Sequence, residues 1–264
     1  MHQDSQAVLQ RLDRFVRDRI NPAIYIDSVP LSISAWQAPR EPVPFAEAIQ
    51  NSFEPVSLGW RFGRAWSTIW LRVTGEVPES WQKDSVADLA PEIQIDFGYN
   101  TSRSGFQAEA LAYDLSGRPI KAIAPKNSWL PWSINNKQID FYLEVAANPD
   151  VAGEYTFEPT SFGDWDTAPE TALYELKTLQ LSRRNVQVWE LAQDIWTIRG
   201  LISSLPQDSS RRHILIRAIE DMLDALDPAD VANSVASGRE KLEGVLSSPA
   251  APASHQIIAT GHAH

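Results

Sequence analysis

Three separate stretches of this chain alternate apolar and polar residues with a period of two. Ile69, Leu71 and Val73 alternate with Thr68, Trp70 and Arg72. Ile93, Ile95 and Phe97 alternate with Gln94 and Asp96, and Ile139, Phe141, Leu143 and Val145 with Asp140, Tyr142 and Glu144. Successive side chains of an extended strand point to opposite faces, so each stretch reads as a strand with one face on a core. Asp114-Leu115-Ser116-Gly117 reads as a hairpin-type turn, with Gly117 free to take positive φ. Short strands joined by Pro- and Gly-bearing loops predict an antiparallel β-sandwich over residues 22–182. Within it, residues 36–66 lack clean periodicity and read as long loops with embedded short strands.

Helical patterns flank this region, so the fold class is mainly β with α. Val8, Leu9, Leu12, Phe15, Val16 and Ile20 recur at the spacing of one helix face. Asn21-Pro22 is expected to end that helix, since the residue before proline is pushed out of the helical region. Its apolar face needs a partner surface, on another domain or in the rest of a larger chain. From about Arg183, Val186, Trp189, Ile195, Trp196, Ile198, Leu201, Ile202 and Leu205 fit a second helix ending at Leu205-Pro206. Asp208-Ser209-Ser210 offers N-cap chemistry for a third helix running to Leu226. Asp227-Pro228 is expected to start a fourth, Asp as N-cap and Pro at the first helical position, with Gly238 weakening its interior. Ser248 to Ala253 reads as a stiff linker and His255 to Thr260 as a buried strand with no sheet to join. The expected segments are 1–21 (helix), 22–182 (sandwich), 183–248 (three helices) and 249–264 (linker and strand).

Charge and cysteine usage exclude several functions. A net charge of −11 is the wrong sign for neutralising phosphates or docking on anionic lipid. With no cysteine, disulfides and thiolate metal sites are excluded. The start, MHQDSQAVLQRLDRF, has acids where a signal peptide needs a basic region and an apolar core. No run approaches a membrane span of about twenty apolar residues. A cytoplasmic protein without nucleic-acid or membrane partners is expected. No Gly-rich phosphate loop and no G-x-S-x-G element occurs.

The residues that carry chemistry are few. His262 and His264 stand two apart after an apolar run, and on an extended segment they share one side, which suits a metal site at a strand end. A zinc site needs at least three protein ligands, and the chain ends at His264. Ten tryptophans, eight of them before residue 170, mean either large apolar cores or flat sugar-stacking surfaces. Trp66 and Trp70 lie four apart on an apparent strand, hence on one face, and with Trp81 are assigned to packing. Trp129-Leu130-Pro131-Trp132 looks loop-like, so Trp129 and Trp132 are candidates for contact with carbohydrate or with another domain. Asp114, Asp164 and Asp166 are not placed at a working separation, and Glu220, Asp221 and Asp224 form an ordinary exposed face. His2, His213 and His255 are given no role. No catalytic residue is assigned.

Three local patterns stand together. The first is Phe62-Gly63-Arg64-Ala65-Trp66-Ser67-Thr68-Ile69-Trp70, with Val77-Pro78-Glu79-Ser80-Trp81 downstream. The second is Gly105 to Tyr113, then Gly117-Arg118-Pro119 and Glu144 to Pro149. The third is Ala259-Thr260-Gly261-His262-Ala263-His264. Together they resemble the cytosolic and bacterial branch of glycoside hydrolase family 38, the metal-dependent α-mannosidases. The first is similar to that family's F-G-P-x-W-S-T-x-W … I-P-x-x-W stretch, with Arg64 where proline is usual. The second follows the family's order, and the third resembles the opening of the catalytic domain, G-H-A-H-I-D.

The resemblance covers essentially the whole chain but only the N-terminal part of such an enzyme. It implies a jelly-roll-like sandwich, a helical linker and the start of a catalytic domain that this chain lacks. It further implies retaining hydrolysis of terminal α-mannosides. Both carboxyl groups that retention requires would come from the absent domain. It places a ligand of zinc, or cobalt, at His264, with His262 behind it, and no metal is expected on this chain alone. The expected fragment is inactive and serves packing against its own catalytic domain and assembly of a homo-oligomer. The alternative is a stand-alone carbohydrate-binding sandwich.

Overall fold

The computed structural model describes residues 5–83, 88–100, 105, 107–149, 165–168, 170–248 and 258–261. The chain forms two compact units. One is continuous, Tyr25–Arg184; the other joins the residues up to Ile24 with those from Asn185 onward.

The second of these is helical. It opens with α1 (Ser5–Phe15), loosens into a π-turn over Val16–Ile20 and closes with a short α2 (Asn21–Ile24). The helix therefore does not stop at Asn21-Pro22 as the sequence suggests. The Asn21 N–H reaches back to Val16 O, and the chain stays helical through Pro22 to Ile24.

The strands of the continuous unit follow in chain order. They are β1 (Tyr25–Pro30), β2 (Ser32–Gln37), β3 (Glu54–Val56), β4 (Arg61–Phe62), β5 (Ser67–Glu76) and β6 (Leu89–Asp96). Then come β7 (Glu109–Tyr113), β8 (Pro119–Ile123), β9 (Trp129–Pro131), β10 (Gln138–Ala147), β11 (Tyr174–Glu175) and β12 (Thr178–Asn185). Two short helices, α3 (Phe45–Ala48) and α4 (Glu79–Lys83), interrupt them. One sheet has the order β1-β12-β6-β9 and another β3-β2-β5-β10-β7-β8; β11 pairs with β4. The described pairings are antiparallel.

The alternation in the sequence fixes which face points inward. In the β5–β10 ladder, Ile69, Leu71 and Val73 stand opposite Val145, Leu143 and Phe141. These six pack in one core with Ile93, Ile95, Phe97, Leu130, Leu179 and Leu181 of the facing sheet. Burying side chains of this size stabilises a fold by about 1.5–3 kcal/mol each. The result is the expected sandwich.

β5 is also buried on its other face. Trp70 lies under Phe45 of α3, with ring centroids 6.0 Å apart, and Phe45 meets Tyr142 edge-on at 5.5 Å. So the segment read as long loops carries β3, β4 and the unforeseen α3, and it forms a lid over Trp70. Trp66 does not share Trp70's face. β5 begins at Ser67, Trp66 takes φ 70° and is 42 % exposed, while Trp70 is sealed.

In the helical unit, α5 (Val186–Ser204), α6 (Ser210–Ala225) and α7 (Val231–Leu246) pack with α1 around one core. The N-terminal helix thus finds its partner within the chain: Leu12 and Ile20 are fully buried there. Arg11 reaches Asp224 at 2.7 Å, so that acidic position is not simply solvated. On α5 the inward stripe is Val188, Leu191, Ile195, Ile198 and Ile202; Trp196, which fits the apolar spacing, is 75 % exposed. Ser209 precedes α6 without a side-chain cap bond. α7 starts three residues later than Pro228. Its N-cap is Asp230, whose side chain accepts from Asn233 N, while Asp227 organises the preceding turn by accepting from Ala229 N. Ile258 to Thr260 are not in a strand, and Ile258 is 87 % exposed. Apolar pattern alone cannot make a strand where no neighbour completes its hydrogen bonds.

Candidate functional site

The outer face of the β1-β12-β6-β9 sheet carries the densest polar arrangement of the β unit. Because Ile93, Ile95, Leu179 and Leu181 point into the core, Glu92, Gln94 and Asp96 of β6 share the opposite face with Gln180, Ser182 and Arg184 of β12. Register places Ser28 of β1 opposite Ser182, and Trp129 of β9 opposite Gln94. One row therefore runs across all four strands: Ser28, Ser182, Gln94, Trp129.

The row is knitted by side chains. Ser28 and Ser182 share a hydrogen bond of 2.9 Å between hydroxyls. Gln180 Nε2 donates to Gln94 Oε1 (2.8 Å) and to Ser28 Oγ (3.1 Å), and Ser182 Oγ donates to the same Gln94 oxygen at 3.0 Å. Below it, Glu92 is buried at 2 % exposure and accepts from Tyr25 Oη at 2.5 Å and Arg184 Nε at 2.9 Å. Burial, then the bond to this carboxylate, pushes the Tyr25 phenol well above its ordinary range. Above the row, Asp96 Oδ1 accepts from the backbone N–H groups of Gly98 (2.7 Å) and Tyr99 (3.0 Å).

Trp129 closes one end. Lys121 Nζ lies 4.2 Å from the indole centroid and donates to Trp129 O at 2.6 Å, while Arg184 Cζ stands farther off at 5.9 Å. Burial pulls the Lys121 ammonium below its ordinary pKa. Between these groups is a cleft of about 290 Å³, lined by Tyr25, Gln94, Asp96, Trp129, Thr178 and Gln180 among others.

Trp132 is not part of this site. Trp129-Leu130-Pro131 is a strand rather than a loop, with Leu130 fully buried. Trp132 packs against the core, its ring 5.9 Å from Phe141 and its Nε1 donating to Asn136 O at 3.0 Å. Alternation therefore separates the two candidate tryptophans. Trp81 is buried, with Arg183 Cζ 4.9 Å from its ring. Asp114 is a turn organiser: its Oδ1 accepts from Ser116 N, Ser116 Oγ and Arg118 N, and the Ser116 hydroxyl foremost holds its pKa below the ordinary range. Asp166 pairs with Arg40 at 2.7 Å. His213 is exposed, with its ring 2.9 Å from Ser209 O. Asp164, His2, His255, His262 and His264 lie outside the described residues. Among the described residues no group of three or more His, Cys, Asp or Glu side chains is gathered to hold a metal ion, so that part of the chain does not itself fit a zinc site.

Sequence reasoning missed Tyr25, Glu92, Gln180 and Arg184. Their one signal is that the outward positions of β6 and β12 are carboxylates, amides and arginine rather than the Thr and Lys of an ordinary wet face.

The comparisons agree with this architecture. The family model described as "Alpha-mannosidase, jelly roll domain", of the Ams1-like type, matches residues 29–182. The chain belongs to that α-mannosidase jelly-roll family. The matched residues fall inside the β unit, Tyr25–Arg184. Over 98 % of its length the chain is 23 % identical to human alpha-mannosidase 2C1 and 24 % identical to the mouse protein of that name. It is 21 % identical to alpha-mannosidase G of Dictyostelium discoideum over 87 % of the chain. The chain spans about a quarter of the length of the two mammalian relatives, 24 % of each.

At the family's F-G-P motif this jelly roll has Arg64. Its guanidinium sits 4.7 Å from the Trp165 ring centroid and donates to Trp165 O at 2.5 Å. The arginine anchors a neighbouring segment that a proline could not hold. Gly63 keeps positive φ there, where a Cβ would meet the Ala147 Cβ at 2.8 Å.

Proposed function

We propose that this chain is the N-terminal ancillary region of a cytoplasmic α-mannosidase that hydrolyses terminal α-mannosides with retention. The observation that supports this most is the extent of the alignment. Nearly the whole chain, jelly roll and helices together, matches one quarter of enzymes named as α-mannosidases. On this reading the region packs against its own catalytic domain and helps assemble a homo-oligomer. On this reading it has no nucleic-acid or membrane partner, which its acidic net charge supports; among the described residues no helix is long and apolar enough to cross a membrane.

The catalytic carboxylates would lie in the remaining three-quarters of the enzyme. His264 would supply one ligand to a zinc or cobalt ion, with His262 supporting it and the other ligands coming from the catalytic domain. When bound, the metal would grip sugar hydroxyls and favour ring distortion. The chain alone is then inactive. An assay on an aryl α-mannoside with added zinc or cobalt should show no turnover. Turnover that is lost on His264→Ala would overturn this reading.

A second reading, a sandwich that holds carbohydrate without the rest of the enzyme, is favoured by one observation: the polar face around Gln94 and Trp129.

A further inference from the structure

We infer that the outer face of the β1-β12-β6-β9 sheet is a binding site for one neutral hexopyranose ring, held by Gln94, Asp96, Trp129 and Gln180. The choice of an α-mannoside among neutral sugars rests on the α-mannosidase reading; the site itself does not.

Charge selects the class of ligand. Glu92 and Asp96 are balanced by Arg184 and Lys121, and Glu92 already accepts from Arg184. A charged ligand therefore gains little from the face, whereas a ligand that both donates and accepts gains from amides, hydroxyls and a carboxylate. Sugar hydroxyls do both. Among the described residues, both bonds to Asp96 fall on Oδ1, which leaves Oδ2 to accept from a hydroxyl.

Preorganisation is the second argument. Six side chain–side chain hydrogen bonds tie Tyr25, Glu92 and Arg184 into one group and Ser28, Gln94, Gln180 and Ser182 into another. Bonds of this type are only about 10–15 % of those in a folded protein, so their concentration on one sheet face is unusual. Lys121 fixes the Trp129 indole from one side. Rotamer ordering that would weaken binding has been met in folding instead. The ligand would use the edge or the other face of the ring, since the apolar C–H face of a sugar packs on an aromatic surface.

Size is the third. A cleft of about 290 Å³ lies at the lower end of ligand pockets, which begin near 300 Å³, and suits one sugar ring rather than an extended chain.

The test uses the chain with methyl α-mannopyranoside, followed by saturation-transfer NMR and tryptophan fluorescence. Saturable binding in the millimolar range is expected, weaker for methyl β-galactopyranoside, and reduced by about tenfold or more in Gln180→Ala and in Asp96→Asn. Asparagine keeps an Oδ1 for the Gly98–Tyr99 turn, so that variant should stay folded, and near-UV circular dichroism checks it. No saturable signal from the folded wild-type chain overturns the inference. So does binding unchanged in both variants, while a galactoside bound as tightly as the mannoside overturns the choice of mannoside. Failure here leaves the α-mannosidase reading standing, because that reading is tested by turnover of the fragment and of the full-length enzyme.

Discussion

Arg184 donates to Glu92 at 2.9 Å although the two residues stand on different strands, and the Glu92 side chain retains only 2 % of its exposure. The carboxylate also takes the Tyr25 hydroxyl, so both of its oxygens are engaged. This pair anchors one end of the polar face.

Removing one partner should therefore hurt more than its loss of contact suggests. Glu92→Ala takes from the Arg184 side chain, only 14 % exposed, the carboxylate that its Nε bonds. Losses of about 3–5 kcal/mol are typical when a buried pair is broken in this way. Urea denaturation should show it as a lower midpoint at unchanged slope. Glu92→Gln, which keeps an acceptor, should lose less.

Trp70 offers the opposite case. Its indole N–H is buried with no hydrogen-bond partner among the described residues, while its rings fill the space under Phe45. Trp70→Ala should cost about 3–5 kcal/mol by opening a cavity. Trp70→Phe removes an unsatisfied donor together with some volume, so its thermal midpoint should lie much closer to the parent's than to that of the alanine variant.

Two helical glycines should respond with opposite sign. At Gly200 in α5 an added Cβ meets nothing within 4 Å, so Gly200→Ala should stabilise by up to about 1 kcal/mol. At Gly238 in α7 the Cβ would fall 2.7 Å from Leu226 Cδ2 and 2.9 Å from its Cγ. Leu226 is itself buried and cannot swing away. Overpacking of about 1–3 kcal/mol then exceeds the propensity gain, and Gly238→Ala should lower the melting temperature.

The Tyr113 phenol donates to Glu144 Oε2 at 2.8 Å. Burial first, and then that carboxylate, pushes its pKa from 10.0 up to about 12. The folded state thus holds this proton more tightly than the unfolded chain does. Stability from the pair is complete below pH 10 and drains away as pH rises through the interval up to the folded value. Alkaline denaturation curves should be shallower across that interval for Tyr113→Phe than for the parent.

Much of the sandwich is legible in the sequence because each strand declares its own inward face. Ile69, Leu71 and Val73 need no knowledge of Val145, Leu143 and Phe141 to be recognised as core. The errors share a cause. Trp66 and Trp70 have strand spacing, but the strand begins between them; Trp196 has helix spacing but lies off the buried stripe of its helix. Pro22 reads as a stop because a π-turn leaves no mark in composition. Asp227 and Asp230 are equally good caps by type, and only the chain's path chooses the second.

The candidate site was the least legible part. Gln180 and Gln94 are eighty-six residues apart in sequence, and their side chains meet at 2.8 Å only because β12 lies beside β6. Periodicity is a local property, so the sequence by itself determined strands, helices, the inward faces and the family motifs. Which outward residues become neighbours is a matter of strand order and register, which depend on contacts distant along the chain. Tertiary structure alone decided that Trp129 faces the polar row while Trp132 packs on the core, and that Glu92 is buried against Arg184.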